Sequence, residues 1–308
     1  MDKISIVTSL YRSSPYVDDF YYQHLDCIKK MNVDYEFVFV DDGYPDDAAA
    51  KVEALIRKDS KVKLILLSRN FGQYAAMFAG MANAEGDYIY ATDSDLEEEP
   101  QNIISMYNIL MENKDIDVVY GVLKKRDGGI IRGFLGKIFF VILDSLSDVK
   151  IPRNQGWQRV MSKRYVKALL QYNEAETLPA GLMILAGFKQ HPIIMDKNYK
   201  GSTSYTFRKR LRLALNSITA FSAKPLIFIG LLGISITLIT FVVLILAIVR
   251  KFFVADFQIG WLSIITSIWL IGGIILASVG IIGIYLAKIF NQVKNRPLYI
   301  IKSIVKSA

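Results

Sequence analysis

The pattern of apolar and polar positions divides this 308-residue chain into two parts. Up to Tyr120, short apolar runs rich in β-branched residues alternate with longer segments of helical character. We predict five strands, at Ile4–Val7, Tyr35–Val40, Val62–Leu67, Tyr88–Ala91 and Asp117–Tyr120. The predicted helices between them cover Asp18–Met31, Ala48–Lys58, Gln73–Ala84 and Asn102–Glu112. Strands that alternate with helices at this spacing indicate an α/β domain built on a mainly parallel sheet.

The second part of the chain is far more apolar. Leu226–Val249 contains 24 residues without a charge, and Phe257–Ala287 contains 31. Each exceeds the roughly 20 apolar residues that are needed to cross a bilayer. We therefore predict two transmembrane helices within 225–287. A domain at 1–205 precedes them, with an amphipathic juxtamembrane helix at 206–224, and a tail at 288–308 follows.

The charges near these two helices predict their orientation. The net charge is +8, and much of the excess lies before the first helix and after the second, at Arg208, Lys209, Arg210, Arg212, Lys224, Lys288, Lys294, Arg296, Lys302 and Lys306. The positive-inside rule therefore puts the N-terminal domain and the C-terminal tail in the cytoplasm. The start of the chain has no signal-peptide pattern, and the single Cys27 forms no intramolecular disulfide. Cations beside membrane helices favour anionic lipid as a partner and not nucleic acid.

Two carboxylates follow the fourth predicted strand, in Asp93-Ser94-Asp95. Residues i and i+2 at a strand end point the same way, so both carboxylates can face one cation. A hard divalent ion such as Mg²⁺ or Mn²⁺ takes oxygen ligands and commonly shares them with substrate phosphates. The alternative is an acidic turn in which Asp95 or Glu97 caps the helix after Pro100.

Other polar side chains follow the neighbouring strands. Ser9 and Tyr11 come after the first strand, Asp41-Asp42 end the second, and Arg69-Asn70 follow the third. Ligands of mainly parallel α/β sheets bind at the carboxyl ends of the strands. The sequence therefore predicts a binding site at this edge of the sheet.

These motifs carry a resemblance to a known family. The runs FVFVDDGYPDD and LLSRNFGQYAAMFAGMANAEGDYIYATDSDLEEEP resemble the inverting glycosyltransferases typified by dolichyl- and polyprenyl-phosphate sugar synthases. The two apolar helices after the catalytic domain resemble the bacterial members. The resemblance implies a GT-A fold, a UDP- or GDP-sugar as donor, and a multi-pass location in the bacterial inner (cytoplasmic) membrane.

The resemblance also implies a donor-binding site. Asp41 and Asp42 would contact the nucleoside, and Thr8, Ser9 and Tyr11 would line the pocket for its base.

The resemblance also assigns residues to the ribose and the diphosphate of the donor. Asp93 would lie beside the ribose or the diphosphate, and Asp95 would hold Mg²⁺ or Mn²⁺ together with it; both are the expected catalytic carboxylates. Arg69 would sit near the edge of the base or the phosphates. A cation at this place would stabilise the charge that develops on the departing diphosphate.

The chain departs from the family where a catalytic base is expected. Family members usually carry a Gly followed by an Asp, whereas Trp157 follows Gly156 here. Candidate replacements are Glu174, Asp148 and Asp144, of which we prefer Glu174. A polyprenyl phosphate is largely a dianion at neutral pH and needs cations more than a base. Its expected binding residues are Arg126, Arg132, Arg159 and Lys200.

Three functions follow from these patterns. The first is transfer of a sugar to polyprenyl phosphate for the synthesis of a cell-envelope glycan. The second is transfer to a hydroxyl of a lipid-linked or envelope glycan, which requires a base. The third is an inactive glycosyltransferase fold that serves as a membrane scaffold. The sequence specifies neither the sugar nor the nucleotide, and it is compatible with a homo-oligomer.

Overall fold

The computed structural model describes residues 1–123, 155–174, 179–195, 222–253 and 261–307. The chain divides into two compact units. The first comprises residues 1–133, 149–205 and 296–308, and the second comprises 134–148 and 206–295. The C-terminal residues therefore belong to the same unit as the N-terminal ones.

The first unit is an α/β domain. Its described strands are β1 (Lys3–Leu10), β2 (Asp34–Asp41), β3 (Val62–Leu67), β4 (Tyr88–Ala91), β5 (Val118–Leu123), β6 (Gln155–Ser162), β7 (Gln190–Met195) and β8 (Ile301–Lys306). Its described helices are α1 (Val17–Lys29), α2 (Ala48–Ile56), α3 (Gln73–Ala82), α4 (Asn102–Glu112), α5 (Lys163–Leu169) and α6 (Pro179–Leu185).

The strands form one eight-stranded sheet in the order β7-β5-β6-β4-β1-β2-β3-β8. β1 to β4 are parallel to their neighbours within this group, which confirms the predicted parallel core of the sheet. β6 is antiparallel to both β4 and β5, and β8 is antiparallel to β3. The strand order reverses direction at β1, between β2 and β4, and a crevice at such a point is where ligands of open α/β sheets bind.

The apolar character of the central strands follows from burial on both faces. Ile4 and Ile6 of β1 are fully buried and belong to the same core cluster as Phe20 of α1. On the opposite face, α3 approaches β1 and β2 so closely that a Cβ at Gly80 would overlap the side chains of Val7 and Val40. Strands covered in this way read as nearly continuous apolar runs, which is why they were predictable.

The predicted elements differ from the observed ones mainly at their ends. β1 extends to Leu10 and β5 to Leu123, beyond the predicted limits, whereas β3, β4 and α4 have the predicted bounds. Three described strands were not predicted: β6, β7 and β8. The last of these lies in the tail, which the sequence alone left without a secondary structure.

The second unit contains two long helices, α7 (Lys224–Phe253) and α8 (Trp261–Val293). Among the described residues, Ser267–Val293 is long and apolar enough to cross a membrane by length and composition, and Lys224–Ile236 is a shorter apolar stretch. Within the residues that the structure describes, one candidate membrane span is thus found, whereas the sequence predicts two. Most of the predicted juxtamembrane helix at 206–224 lies outside the described residues.

Candidate functional site

A cavity of about 450 Å³ opens at the carboxyl ends of β1 to β4. The loops that follow all four strands contribute to its wall. Its lining residues are Ser9, Tyr11, Arg12, Ser13, Tyr16, Asp42, Asn70, Gly72, Gln73, Asp93, Ser94 and Asp95. The predicted convergence of polar groups at this edge of the sheet is therefore found in the structure.

Asp42 connects the end of β2 to the start of α3. Its carboxylate accepts hydrogen bonds from the backbone N–H groups of Phe71 (2.7 Å) and Gly72 (3.0 Å). Burial raises the pKa of this carboxyl, while the two N–H groups and the charge of Arg69 act in the opposite direction. Asp42 thus fixes the loop that begins α3 and also lines the cavity.

Asp41 has a more local role in the same turn. Its carboxylate accepts a hydrogen bond from the N–H of Gly43 at 3.1 Å, and burial raises its pKa. Gly43 has a φ of 70°, and a Cβ there would come within 2.8 Å of the carbonyl carbon of Arg69. The turn after β2 therefore packs directly on the loop after β3. Asp41 is not among the residues that line the cavity.

Asp93 and Asp95 both line the cavity, and so does Ser94 between them. β4 ends at Ala91, so these residues lie beyond the strand, and strand alternation does not explain their placement. Asp93 accepts a hydrogen bond from the side-chain amide of Gln73 at 2.6 Å. Asp95 accepts one from the backbone N–H of Glu97 at 3.0 Å. Between them, the hydroxyl of Ser94 lies 2.7 Å from that of Ser13, and both serines are buried. This contact ties the loop after β4 to the loop after β1.

Of the three residues predicted to line the pocket for the base, two line the cavity and one does not. Ser9 and Tyr11 line the cavity, whereas Thr8 does not. Thr8 is 1% exposed, and its hydroxyl has no hydrogen-bond partner in the part of the chain that the structure describes.

Arg69 is not among the described residues that line the cavity. Its guanidinium carbon lies 4.0 Å from the centre of the Phe71 ring, and the group donates to the carbonyl oxygen of Asn70 at 3.0 Å. The lining cation is instead Arg12, which our sequence analysis did not single out. Its position directly after Tyr11, in the loop that follows β1, was the available signal.

Arg159 is buried in β6, with 2% of its surface exposed. Its guanidinium donates to the carbonyl oxygens of Gly156 (2.7 Å) and Trp157 (3.1 Å), and burial lowers its pKa. The described structure does not place Arg159 in the cavity wall, so its contact with an acceptor phosphate stays a prediction.

Glu174 lies close enough to Tyr74 for its charge to matter. Burial raises the pKa of Tyr74, and the negative charge of Glu174 adds to this shift. Tyr74 follows the lining residue Gln73 in α3, but neither Tyr74 nor Glu174 lines the cavity. Other predicted groups lie outside the described residues; these are Arg126, Arg132, Asp144, Asp148 and Lys200.

Comparisons with known proteins agree on one family. The model of glycosyl transferase family 2 matches residues 5–170. A relative from Mycobacterium tuberculosis (strain CDC 1551), described as "Putative glycosyltransferases", is 40% identical over 305 residues, covering 99% of this chain and 89% of its own. A prophage bactoprenol glucosyl transferase homolog of Escherichia coli K12 is 27% identical, covering 99% and 100%.

A solved structure shows the same fold. A mannosyltransferase from Pyrobaculum calidifontis, in complex with GDP-Man and Mn²⁺, superposes with a TM-score of 0.50 at 14% sequence identity. The match covers 71% of this chain and 63% of that one. The family model spans β1 to α5, which include six of the eight described strands of the sheet and every residue that lines the cavity. The chain therefore belongs to glycosyl transferase family 2, as an α/β glycosyltransferase with the GT-A fold.

Proposed function

We propose that this enzyme transfers a sugar, with inversion, from a UDP- or GDP-sugar to polyprenyl phosphate. The observation that carries the proposal is the convergence of Asp42, Asp93 and Asp95 on one cavity at the carboxyl ends of parallel strands. The relatives named as bactoprenol glucosyl transferases, which align along nearly the whole chain, support the lipid acceptor.

Asp93 and Asp95 fit a divalent cation of the Mg²⁺ or Mn²⁺ type. Both are carboxylates on one wall, and Gln73 holds Asp93 in place. No group of three or more His, Cys, Asp or Glu residues that could hold a metal occurs among the described residues. A two-carboxylate site suits an ion that takes its remaining ligands from water and phosphate. When bound, such an ion neutralises the charge that develops on the departing diphosphate.

A lipid-phosphate acceptor is compatible with Trp157 at the position where the family usually has an aspartate as catalytic base. A phosphate monoester has its second pKa near 6, so polyprenyl phosphate is largely dianionic at pH 7. Such an oxygen attacks the anomeric carbon without transferring a proton first. Attack from the face opposite the diphosphate inverts that carbon.

Membrane anchoring brings the enzyme to the bilayer that holds such an acceptor. We propose two transmembrane helices, at about 226–249 and 260–287, in the bacterial inner membrane, with the catalytic domain in the cytoplasm. The apolar stretch Ser267–Val293 supports the second of these. The flanking cations support the orientation.

One observation favours a second candidate acceptor. The charge of Glu174 acts on Tyr74, which adjoins the cavity residue Gln73. A sugar hydroxyl needs a positioned carboxylate to take its proton. In this alternative, the enzyme transfers the sugar to a hydroxyl of a lipid-linked or envelope glycan, and Glu174 takes the proton.

The test is transfer from radiolabelled UDP- and GDP-sugars in membranes that contain the full-length protein, Mn²⁺ and undecaprenyl phosphate. We expect a product that extracts into organic solvent and is labile to mild acid. Asp95→Asn should lower the rate of transfer about a hundredfold or more. The substitution removes a carboxylate that would hold the divalent cation, and that cation would stabilise the charge of the transition state. The matched control is Asp115→Asn, which changes an exposed aspartate outside the cavity.

Three results would each contradict one part of the proposal: the acceptor, the metal site or the donor. Donor hydrolysis without a lipid product, abolished by Glu174→Gln, would favour the hydroxyl acceptor. Equal activity of Asp95→Asn and wild type would exclude the metal site. No transfer from any UDP- or GDP-sugar would contradict the proposed donor.

A further inference from the structure

Arg12 is the only cationic residue in the described wall of the cavity. The same wall carries the carboxylates of Asp42, Asp93 and Asp95. A nucleotide diphosphate is itself anionic, so three carboxylates alone would repel it. The positive charge of Arg12 reduces this repulsion, so the cavity can bind an anionic ligand.

The backbone holds Arg12 in an uncommon conformation. Its φ is 57°, in the left-handed region that residues other than glycine rarely adopt. On its two sides, the N–H of Tyr11 donates to the hydroxyl of Ser13 at 3.0 Å, and that hydroxyl lies 2.7 Å from Ser94. Strained residues of this kind persist only where the surroundings fix them, and they concentrate at ligand sites.

Two aromatic rings flank the guanidinium of Arg12. Its central carbon lies 5.7 Å from the centre of the Tyr11 ring and 5.2 Å from that of Tyr44. The two rings meet edge to face at 4.8 Å. Cation–π contacts at this range orient the guanidinium without using its N–H donors.

Those donors are available to a ligand. Among the described residues, no carboxylate forms an ion pair with Arg12, and no side chain or carbonyl accepts a hydrogen bond from it. Arg69, the cation that the sequence analysis favoured, instead stacks on Phe71 and donates to Asn70. The two arginines therefore differ in what they can offer to a ligand.

We propose that Arg12 binds the nucleotide part of the donor, through the oxygen atoms of its phosphates or of its base. This inference rests on the proposed function. The planar guanidinium fork pairs with two oxygens at once, a pattern that phosphates and base carbonyls present. A neutral hexose would offer only hydroxyl groups to this fork. Arg12 is thus a determinant of donor affinity and of the nucleotide that the enzyme accepts.

The test is calorimetric titration of UDP, GDP, uridine and guanosine into the full-length protein in detergent with Mn²⁺. For the diphosphate that binds wild type, we expect Arg12→Ala to raise the Kd roughly tenfold or more, as loss of hydrogen bonds to a charged partner does. Arg12→Lys keeps the charge but lacks the fork and should recover only part of the affinity. Arg57→Ala, which removes an exposed arginine at the end of α2, should leave the Kd unchanged.

The nucleosides separate the two sources of oxygen. Loss of affinity for the diphosphate alone assigns Arg12 to the phosphates, and an equal loss for the nucleoside assigns it to the base. A Kd for the diphosphate within about twofold of wild type in Arg12→Ala would overturn the role of Arg12 and leave the proposed function standing. Failure of wild type to bind either diphosphate would overturn both.

Discussion

His24 illustrates how burial changes a titratable side chain in this core. It lies on α1, is 1% exposed, and packs on Phe20 with ring centres 4.2 Å apart. Its Nδ1 lies 2.8 Å from the carbonyl oxygen of Phe20, and its Nε2 has no partner among the described residues. Burial lowers the pKa of His24 to about 4. The ring is a neutral component of the core.

We expect this histidine to make the fold sensitive to acid. The folded state keeps His24 neutral until about pH 4, whereas the unfolded chain takes up the proton near pH 6.5. Below that value the unfolded state binds more protons, so the free energy of unfolding falls, by about 2 kcal/mol at pH 5. His24→Leu should remove this component from a plot of thermal midpoint against pH. His191→Gln, at an exposed position, is the control, and parallel curves for wild type and His24→Leu would contradict the expectation.

The candidate site was predictable only where its geometry is local. Asp93 and Asp95 both line the cavity because they follow β4 directly, at the carboxyl end of the strand. The sequence could not indicate that Arg12 lines the cavity and Arg69 does not. The position of a long arginine side chain depends on the groups that it contacts in the folded structure. Phe71 holds one guanidinium, and Tyr44, distant in sequence from Arg12, flanks the other.

Helix α3 links the packed core to the cavity. At its start, Asp42 accepts the N–H groups of Phe71 and Gly72, and Gln73 donates to Asp93. Near its end, Gly80 packs directly on the side chains of β1 and β2. The position of the Asp93 carboxylate therefore depends on how closely this helix lies on the sheet.

Gly80→Val should push α3 away from the sheet. A side chain there overlaps Val7 and Val40, and overpacking of a filled core costs about 1–3 kcal/mol. We expect a lower thermal midpoint, measured by circular dichroism. Ala82→Val, at an exposed position of the same helix, controls for the effect of a β-branched residue. Equal midpoints for the two variants would show that the sheet accommodates the change.

Strand β6 was not predicted from the sequence, whereas the apolar strands β1 to β4 were. β6 carries Gln158 and Arg159, which are polar yet fully buried, so its pattern does not indicate a core strand. Their partners explain this, since the amide of Gln158 donates to the hydroxyl of Tyr90 at 2.6 Å and to the carbonyl of Glu99 at 2.9 Å. Such pairing depends on tertiary contacts that no local pattern contains.

Both ends of the chain contribute to one sheet. After α8, residues 294–300 lead into β8, which pairs with β3 so that Leu64 lies opposite Val305 and Leu66 opposite Ser303. Val305 packs against the core cluster. β8 thereby covers the edge of β3, which would otherwise present unpaired backbone groups to solvent.

Ending the chain after Tyr299 should destabilise the catalytic domain. Loss of the Val305 contact and of the β3–β8 hydrogen bonds should cost about 2 kcal/mol or more and expose an edge that aggregates. We expect faster limited proteolysis of the domain and a larger aggregated fraction on size-exclusion chromatography. A chain ending at Lys306 keeps β8 and is the control. Indistinguishable behaviour of the two truncations would show that β8 adds no stability.

The same strand pairing fixes an order of events during translation. More than 230 residues separate the end of β3 from the start of β8, and both long helices lie between them. At about 5–20 residues per second, the ribosome needs roughly 10–50 s to supply the missing strand. Throughout that interval the nascent domain has an open edge, and closing it requires the helical pair to have been synthesised first. Maturation of the enzyme is thereby coupled to synthesis of its two long helices.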